Sequence, residues 1–310
     1  RPAGAAHTLS SMQAPAVLAG DAHPALARRV AELARARLVP AAVSAFADGE
    51  TRLRIEGDVR DADLYIVQPT SPPVNERLVA LALLADAARA AGAARVTAVV
   101  PYFGYARQDV RKVAGEPRSA QVAARILECA GIDRLVALEL HSPALEAAFR
   151  IPLVHLAADE VVLPVIRAWR LPGLTVVSPD AGGMKRAQRY AGALGAPLAV
   201  IAKMRPQPDA ATAAAVLGEV RGRQCLIVDD MASTGRTLAA AAEALRAAGA
   251  AAVHAFFVHA VMAPGALERI HAAGVQRIAA TDSVAPQGES LERVEVAPLL
   301  ARAIGELAGR

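Results

Sequence analysis

The stretch Cys225-Leu-Ile-Val-Asp-Asp-Met-Ala-Ser-Thr-Gly-Arg-Thr-Leu238 decides how the rest of this chain is read. Its first four residues, Cys225 to Val228, are apolar and read as a buried parallel strand, and Asp229 and Asp230 stand where that strand ends. Ser233, Thr234 and Gly235 then turn the backbone ahead of an alanine-rich helix that begins near Arg236 and Thr237. Loop and helix-start N–H groups with two hydroxyls can hold a phosphate, while the carboxylates can accept from sugar hydroxyls or approach a bound Mg²⁺. The simpler alternative is an acidic pair ending a strand, followed by a Ser/Thr helix cap with no ligand.

Upstream of that stretch, Leu174-Thr-Val-Val-Ser-Pro-Asp180 reads as a strand closed by a carboxylate. Gly182-Gly183 before Lys185-Arg186 lets backbone approach an anion at a helix start. Leu198 to Ala202 is a strand leading into Lys203-Met-Arg205, and 206–215, with two prolines and few apolar anchors, reads as a mobile loop. Downstream come a strand at 252–258, a helix at 264–273, a strand at 277–281 and a final helix at 298–307.

The first half repeats the alternation. A strand at 15–20 precedes a helix capped by Asp21 or His23, with Leu26, Val30, Leu33 and Ala34 as its apolar stripe. Asp48-Gly49 between Val43-Ser-Ala and Arg52-Leu-Arg-Ile55 predicts a hairpin. Leu64 to Gln68 is a central strand ending in a proline-rich loop; helix 75–91 and strand 95–100 follow. Ser119 is expected to cap a helix to Ala130, strand 134–140 comes next, and 142–158 reads as a short helix and crossover before a helix opening at Asp159.

Between strand and helix lies Pro101-Tyr-Phe-Gly-Tyr-Ala-Arg-Gln-Asp109, aromatic and basic at the carboxyl end of a parallel strand, where α/β sheets place ligands. Its rings suit stacking on a base and Arg107 suits a phosphate; the alternative is a solvated basic loop with an aromatic anchor.

Composition bounds these readings. At 310 residues the chain is long for one core. The expected fold is α/β: two tandem Rossmann-like domains with mostly parallel sheets, at 15–155 and 156–310, after a flexible tail at 1–14 that lacks a signal peptide's apolar core. Hydrophobic residues make up 54% and charged ones 21%, which excludes a disordered chain, and only 3% are aromatic, so small side chains fill the core. Lys+Arg 34 against Asp+Glu 30 gives +4, too mild to imply nucleic acid but suited to anionic small molecules. No apolar run reaches the roughly 18 residues of a membrane span. Two distant cysteines, Cys129 and Cys225, argue against a disulfide framework and for a reducing cytoplasm.

Val-Asp-Asp-x-x-x-Thr-Gly-x-Thr-Leu, beginning at Val228, resembles the phosphoribosyl-binding motif of the phosphoribosyltransferase superfamily. Val99-Val-Pro-Tyr-Phe-Gly-Tyr-Ala-Arg-Gln-Asp109 is similar to the ATP-loop signature of the ribose-phosphate pyrophosphokinases, the phosphoribosyl pyrophosphate (PRPP) synthetases. Val177-Ser-Pro-Asp-Ala-Gly-Gly183 with Lys185-Arg186 is similar to their second signature. The resemblance runs from about residue 16 to 305 and implies two phosphoribosyltransferase-type domains. It implies transfer of the diphosphoryl group of MgATP to ribose 5-phosphate, giving PRPP and AMP.

It also implies roles. Phe46, Asp48, Gly49 and Glu50 would contact adenine from a neighbouring subunit, and Arg107, Gln108, Asp109 and His141 would contact ATP. His141 and Asp180 would be the Mg²⁺-side groups, Asp229 and Asp230 would hold ribose hydroxyls, and Ser233, Thr234, Gly235, Arg236 and Thr237 the 5-phosphate. Lys203 and Arg205 match a catalytic pair on a flexible loop. The family implies homo-oligomers, dimers assembled into higher rings such as a hexamer. Three departures stand out: Ser233 where members often carry Asp, Arg236 where they carry Gly, and Glu139-Leu-His141 in place of Asp-Leu-His. The segment from Ser142 lacks the family's glutamine-rich pattern, which bears on regulation by ADP and phosphate more than on chemistry. The competing readings are a non-catalytic synthetase-associated regulatory subunit and a phosphoribosyltransferase that consumes PRPP.

Overall fold

In the computed structural model of the chain, which describes residues 15–204, 213–288 and 291–309, strands and helices alternate in two successive halves. The expected tail at 1–14 and Arg205 lie outside the described residues, as does most of the expected loop after it. In the first half, β1 (Ala16–Ala19), α1 (Pro24–Leu33), β2 (Arg37–Val39), a hairpin of β3 (Ala41–Ala45) and β4 (Thr51–Ile55), and β5 (Asp63–Val67) come first. Then follow α2 (Val74–Ala90), β6 (Arg95–Val100), α3 (Ser119–Cys129), β7 (Arg134–Leu138), a 3-10 turn at Pro143–Ala148 and β8 (Leu153–Leu156). The sheet is six-stranded and parallel, in the order β2-β1-β5-β6-β7-β8.

The second half runs α4 (Asp159–Ala168), β9 (Leu174–Ser178), α5 (Met184–Leu194), β10 (Leu198–Met204), β11 (Ala213–Leu217), β12 (Gln224–Ala232) and α6 (Arg236–Ala247). It closes with β13 (Ala252–Ala260), α7 (Ala266–Ala272), β14 (Val275–Thr281), β15 (Glu292–Val294) and α8 (Ala297–Leu307). Its seven strands, ordered β11-β10-β9-β12-β13-β14-β15, are parallel except for the antiparallel pair β10 and β11. Every residue of β5 and of β13 is buried, as unbroken apolar runs in two-faced parallel sheets require.

The two halves share a core. Tyr65 and Val67 of β5 belong to the same buried cluster as Leu226 and Val228 of β12, and Leu26 and Val30 of α1 join it with Leu300 and Ile304 of α8. Two further clusters cover the outer face of each sheet. The carboxyl ends of β7 and β12 are thereby brought together.

Several local expectations change. His23, not Asp21, caps α1, its Nδ1 accepting from the Leu26 N–H at 3.3 Å. Leu33 is exposed, because the buried stripe runs through Leu26, Ala27, Val30 and Ala31. Ser119 does not cap α3; its hydroxyl donates to Gln108 Oε1 at 2.6 Å. The crossover at 142–158 contains the edge strand β8, and β11 occupies 213–217, so the carboxyl end of the expected loop is strand. Arg37–Val39 and Glu292–Val294 are further short strands with too few residues to show a period.

Candidate active site

β12 positions the core of the site. Ile227 pairs with Val177 of β9 on one side and Ala255 of β13 on the other; the β9 ladder stops there while the β13 ladder runs on to Ala232, so Asp229 and Asp230 lie inside β12 beside an open edge and not past its end as the sequence suggested. Beyond them the chain turns through Gly235, whose φ is +71° and whose hydrogen faces α7: a Cβ there would lie 2.7 Å from the Ala266 carbonyl oxygen. Only glycine fits both demands. The turn is pinned further by the Ala263 N–H donating to the Ser233 carbonyl at 2.9 Å and by Arg269, which donates to the Thr234 carbonyl. With its carbonyls engaged behind it, this loop turns toward a cavity of about 620 Å³.

That cavity lies between the halves. The first half lends Arg107, Asp109, Lys112, His141 and Ser142; the second lends Asp180, Gly182, Gly183, Lys185 and Arg186, then Asp229, Asp230 and all of 231–238. His141, just past β7, closes the seam: its Nδ1 is 2.5 Å from Asp230 Oδ2. Arg186 on α5 sits 3.9 Å from Asp229 Oδ1 and 4.0 Å from Asp230 Oδ1, and 3.4 Å from Glu139 Oε2.

Burial and the adjoining Asp230 charge push the Asp229 carboxyl well above the usual carboxylate range. Burial alone would raise Asp230 too, but the His141 hydrogen bond and the Arg186 guanidinium outweigh it and hold that carboxyl below the range. The same hydrogen bond pushes His141 up. The pair thus divides into one well-compensated anion and one whose charge is costly in this space.

A second buried chain runs beneath. Glu139, with φ +42° and 5% exposure, is held by Arg186, by Arg189 and by the Ala158 N–H at 3.3 Å. Its carbonyl lies 3.2 Å from His259 Nε2. A carbonyl only accepts, so Nε2 carries the hydrogen and Nδ1 accepts from the Ser283 hydroxyl at 2.8 Å.

Most of the sequence-derived residues converge here, but not all. Phe46, Asp48, Gly49 and Glu50 form the exposed tip of the β3–β4 hairpin and do not line the cavity; the half-exposed Phe46 ring lies under Arg52, 5.6 Å away. Gln108 faces Ser119 instead. Stacking on a base is not available to two of the loop's rings: Tyr102 and Phe103 are buried, the latter edge-on to Phe149 at 5.3 Å. They anchor the loop that presents Arg107 and Asp109. Lys203 lies in β10 opposite Ala214, at the end of the antiparallel ladder.

Asp180 lines the cavity and is tied to its own loop, Oδ1 accepting from the Gly183 N–H at 2.9 Å. Among the described residues no cluster of three His, Cys, Asp or Glu side chains converges. Mg²⁺ commonly takes only one or two protein carboxylates and completes its shell with water and phosphate oxygens, so the Asp180 carboxylate suits it, with the His141 imidazole on the same cavity wall. Arg186, Lys185 and Lys112 were missed as site residues. The signal was present for the first two, as a basic pair after Gly182-Gly183, but only the fold brings that pair to the carboxylates.

A parallel strand carrying paired carboxylates ahead of a Ser-Thr-Gly helix start places the second half in the phosphoribosyl-binding class of α/β proteins. Residues 167–293 match the family model of the phosphoribosyl transferase domain, and 16–131 that of the N-terminal domain of ribose phosphate pyrophosphokinase. The chain is 40% identical over 289 residues to the ribose-phosphate pyrophosphokinase of Burkholderia pseudomallei, covering 91% of this chain and 89% of that one. It is 38% identical over 288 residues to that of Bacillus subtilis, covering 92% and 91%. The crystal structure of phosphoribosylpyrophosphate synthetase from Mycobacterium smegmatis matches with a TM-score of 0.88 and 32% identity, covering 94% of this chain and 98% of that one. This chain belongs to the ribose-phosphate pyrophosphokinase family.

Proposed function

We infer that the chain is a ribose-phosphate diphosphokinase that moves the β,γ-diphosphoryl group of ATP to the 1-hydroxyl of ribose 5-phosphate. The observation that carries this is one cavity with two kinds of wall. The second half supplies paired carboxylates over a hydroxyl-rich phosphate loop, and the first supplies Arg107, Asp109 and His141 across from it. A sugar phosphate and a nucleotide can lie side by side in such a space.

In this reading Asp229 and Asp230 accept from the ribose hydroxyls, and Ser233, Thr234, Gly235, Arg236 and Thr237 hold the 5-phosphate. Arg107 and Asp109 serve the ATP side, with Gln108 behind them. The sugar's 1-hydroxyl oxygen attacks the β-phosphorus and gives its proton up to solvent, the bond to the α,β-bridging oxygen breaks, and AMP leaves with that oxygen. Little covalent chemistry falls to the protein, so its work is in-line positioning and compensation of charge. Lys203 and Arg205 would meet charge that develops only in the transition state. His141 and Asp180 would hold Mg²⁺, which supplies neutralisation of the phosphate oxygens. Closure around the substrates excludes water that would otherwise accept the diphosphoryl group.

The hairpin tip at Phe46, Asp48, Gly49 and Glu50 cannot serve its own chain's cavity, which supports a homo-oligomer in which it reaches a neighbour's adenine. No helix among the described residues is long and apolar enough to cross a membrane, and Cys129 and Cys225 are unpaired, which accords with a cytoplasmic setting. Incubation with ribose 5-phosphate and MgATP should yield AMP and PRPP in equal amounts. A regulatory subunit would yield neither, and a phosphoribosyltransferase would require added PRPP and a base.

A further inference from the structure

We propose that Glu139 is a positioning residue that holds Arg186 back from Asp229 and Asp230, keeping both carboxylates open to the ribose hydroxyls. The inference rests on the reading of that pair as the ribose-binding carboxylates.

Arg186 has a side chain only 11% exposed and three carboxylates around it. Its Nη1 stands 3.9 and 4.0 Å from Asp229 and Asp230, close enough to compensate their charge but beyond hydrogen-bond range. A guanidinium beside two adjoining carboxylates ordinarily closes into a bidentate fork, which would occupy the lone pairs a sugar diol needs. What opposes closure is Glu139 on the far side, 3.4 Å from Arg186 Nε.

Glu139 cannot follow Arg186 toward the pair. Its carboxylate is fixed by Arg189, itself clamped to Asp159 at 2.5 Å, and by the Ala158 N–H. Its backbone is fixed by His259 from the other half. The left-handed φ of +42° aims the side chain inward, a conformation that persists for a non-glycine residue only when the surroundings impose it. The length of the side chain matters as well. A glutamate spans both arginines, whereas an aspartate is one methylene shorter and would hold Arg186 less firmly.

The test is ribose 5-phosphate affinity in the full chain, measured both as Kd by calorimetry without ATP and as KM in turnover. In Glu139→Gln, freed Arg186 should close on the pair and weaken sugar-phosphate affinity about tenfold, with KM for ATP within about twofold. Glu139→Asp should fall between the two. The decisive arm is the double variant: in an Arg186→Met background, Glu139→Gln should change the affinity no further. The proposal is overturned by unchanged affinity in a folded Glu139→Gln protein, or by a loss that persists without Arg186. A raised Mg²⁺ requirement at normal sugar affinity would also overturn it, since Glu139 would then act on the metal side. Should Glu139→Gln not fold, Glu139→Asp carries the same comparison with and without Arg186. Failure of the underlying reading looks different: Asp230→Asn would then bind ribose 5-phosphate as well as the native chain does.

Discussion

The carboxyl ends of β5 and β12 occupy equivalent places, each strand lying parallel to the first strand of its half and leading toward a long helix. An aspartate follows that first strand in both halves, Asp21 after β1 and Asp180 after β9. Yet only the second opens into the cavity. Where β12 carries Asp229 and Asp230 past its last pairing with β9, β5 runs into Gln68 and Pro69, and the fully buried Gln68 is consumed internally. Its Nε2 donates to Asp21 Oδ1 at 2.8 Å and its Oε1 accepts from the Ala22 N–H at 3.0 Å. Gly20 makes room for it, since a Cβ there would fall 2.1 Å from Gln68 Oε1. Thr70 is likewise spent, accepting from the Gly104 N–H at 2.6 Å and donating to the Tyr102 carbonyl at 3.2 Å. Two similar strand ends thus differ in where their polar groups sit: Gln68 and Thr70 are enclosed by the first half, whereas Asp229 and Asp230, although Asp230 meets His141 and Asp229 Oδ1 accepts from the Asp230 N–H at 2.9 Å, line the cavity. A strand end becomes a ligand site when its polar groups stay on a cavity wall instead of being enclosed by the fold.

The sharpest break in the comparison concerns the paired insertions between the first and second central strands: the β3–β4 hairpin in one half and the β10–β11 pair in the other. If, of the two insertions, the β10–β11 pair alone meets its own chain's reacting atoms, Lys203→Ala should lower kcat by roughly 10³ or more, as loss of other cationic transition-state groups does, with ATP binding little changed. Rates of AMP formation at saturating substrates decide this, and near-normal turnover would remove Lys203 from the chemistry.

A smaller contrast tests the two strand ends directly. Asp230→Asn should cost about 10² in kcat/KM for ribose 5-phosphate, because it removes a charged acceptor and the His141 contact together. Gln68→Ala should leave both kinetic constants within about twofold while lowering stability by roughly 1–3 kcal/mol, since it strands the buried Ala22 N–H and takes one donor from Asp21, which keeps Arg77. If instead Gln68→Ala raised KM with the melting temperature unchanged, the first-half strand end would have a ligand role and the contrast would fail.

How much of this was legible in the sequence follows from which forces are local. The β12 stretch was readable because strand, acid pair, turn glycine and helix start are consecutive in the chain. The hairpin at Asp48-Gly49 was readable for the same reason. What could not be read was set by contacts distant in sequence. Tyr102 and Phe103 look like base-stacking rings until Phe149 and His259 cover them. Ser119 has a capping side chain but meets Gln108. Leu33 fits the apolar period of α1 but points past the shared core. Arg186 gains its importance from carboxylates 43 and 44 positions away on another element. The shared core itself has no sequence signature, because apolar alternation says that a sheet face is buried without saying against what.

The finest difference between the halves lies deeper in the sheets. Tyr65 of β5 pairs with Thr97 of β6, and at the corresponding place Leu226 of β12 pairs with His254 of β13. Both neighbours are buried and each keeps one polar atom without a hydrogen-bond partner among the described residues, Thr97 Oγ1 and His254 Nδ1. Only the histidine titrates. Burial, aided by the Arg277 charge, lowers its pKa to about 4. An unfolded histidine titrates near 6.5, so between about pH 4 and 6.5 the unfolded chain holds a proton that the folded chain refuses. Stability therefore falls as pH drops through that window, by about 1–2 kcal/mol from this group once relaxation around a buried charge is allowed for. His254→Thr, which gives the second half the residue of the first, should lower stability throughout but flatten its slope between pH 6.5 and 5, above the range where most carboxylates titrate. Denaturant midpoints at the two pH values read the slope. An equal slope in the variant would mean that His254 takes up its proton in the folded state, with its ring less desolvated than its neighbours Trp169, 6.0 Å away, and Gln224, whose Oε1 is 2.8 Å from Nε2, make it.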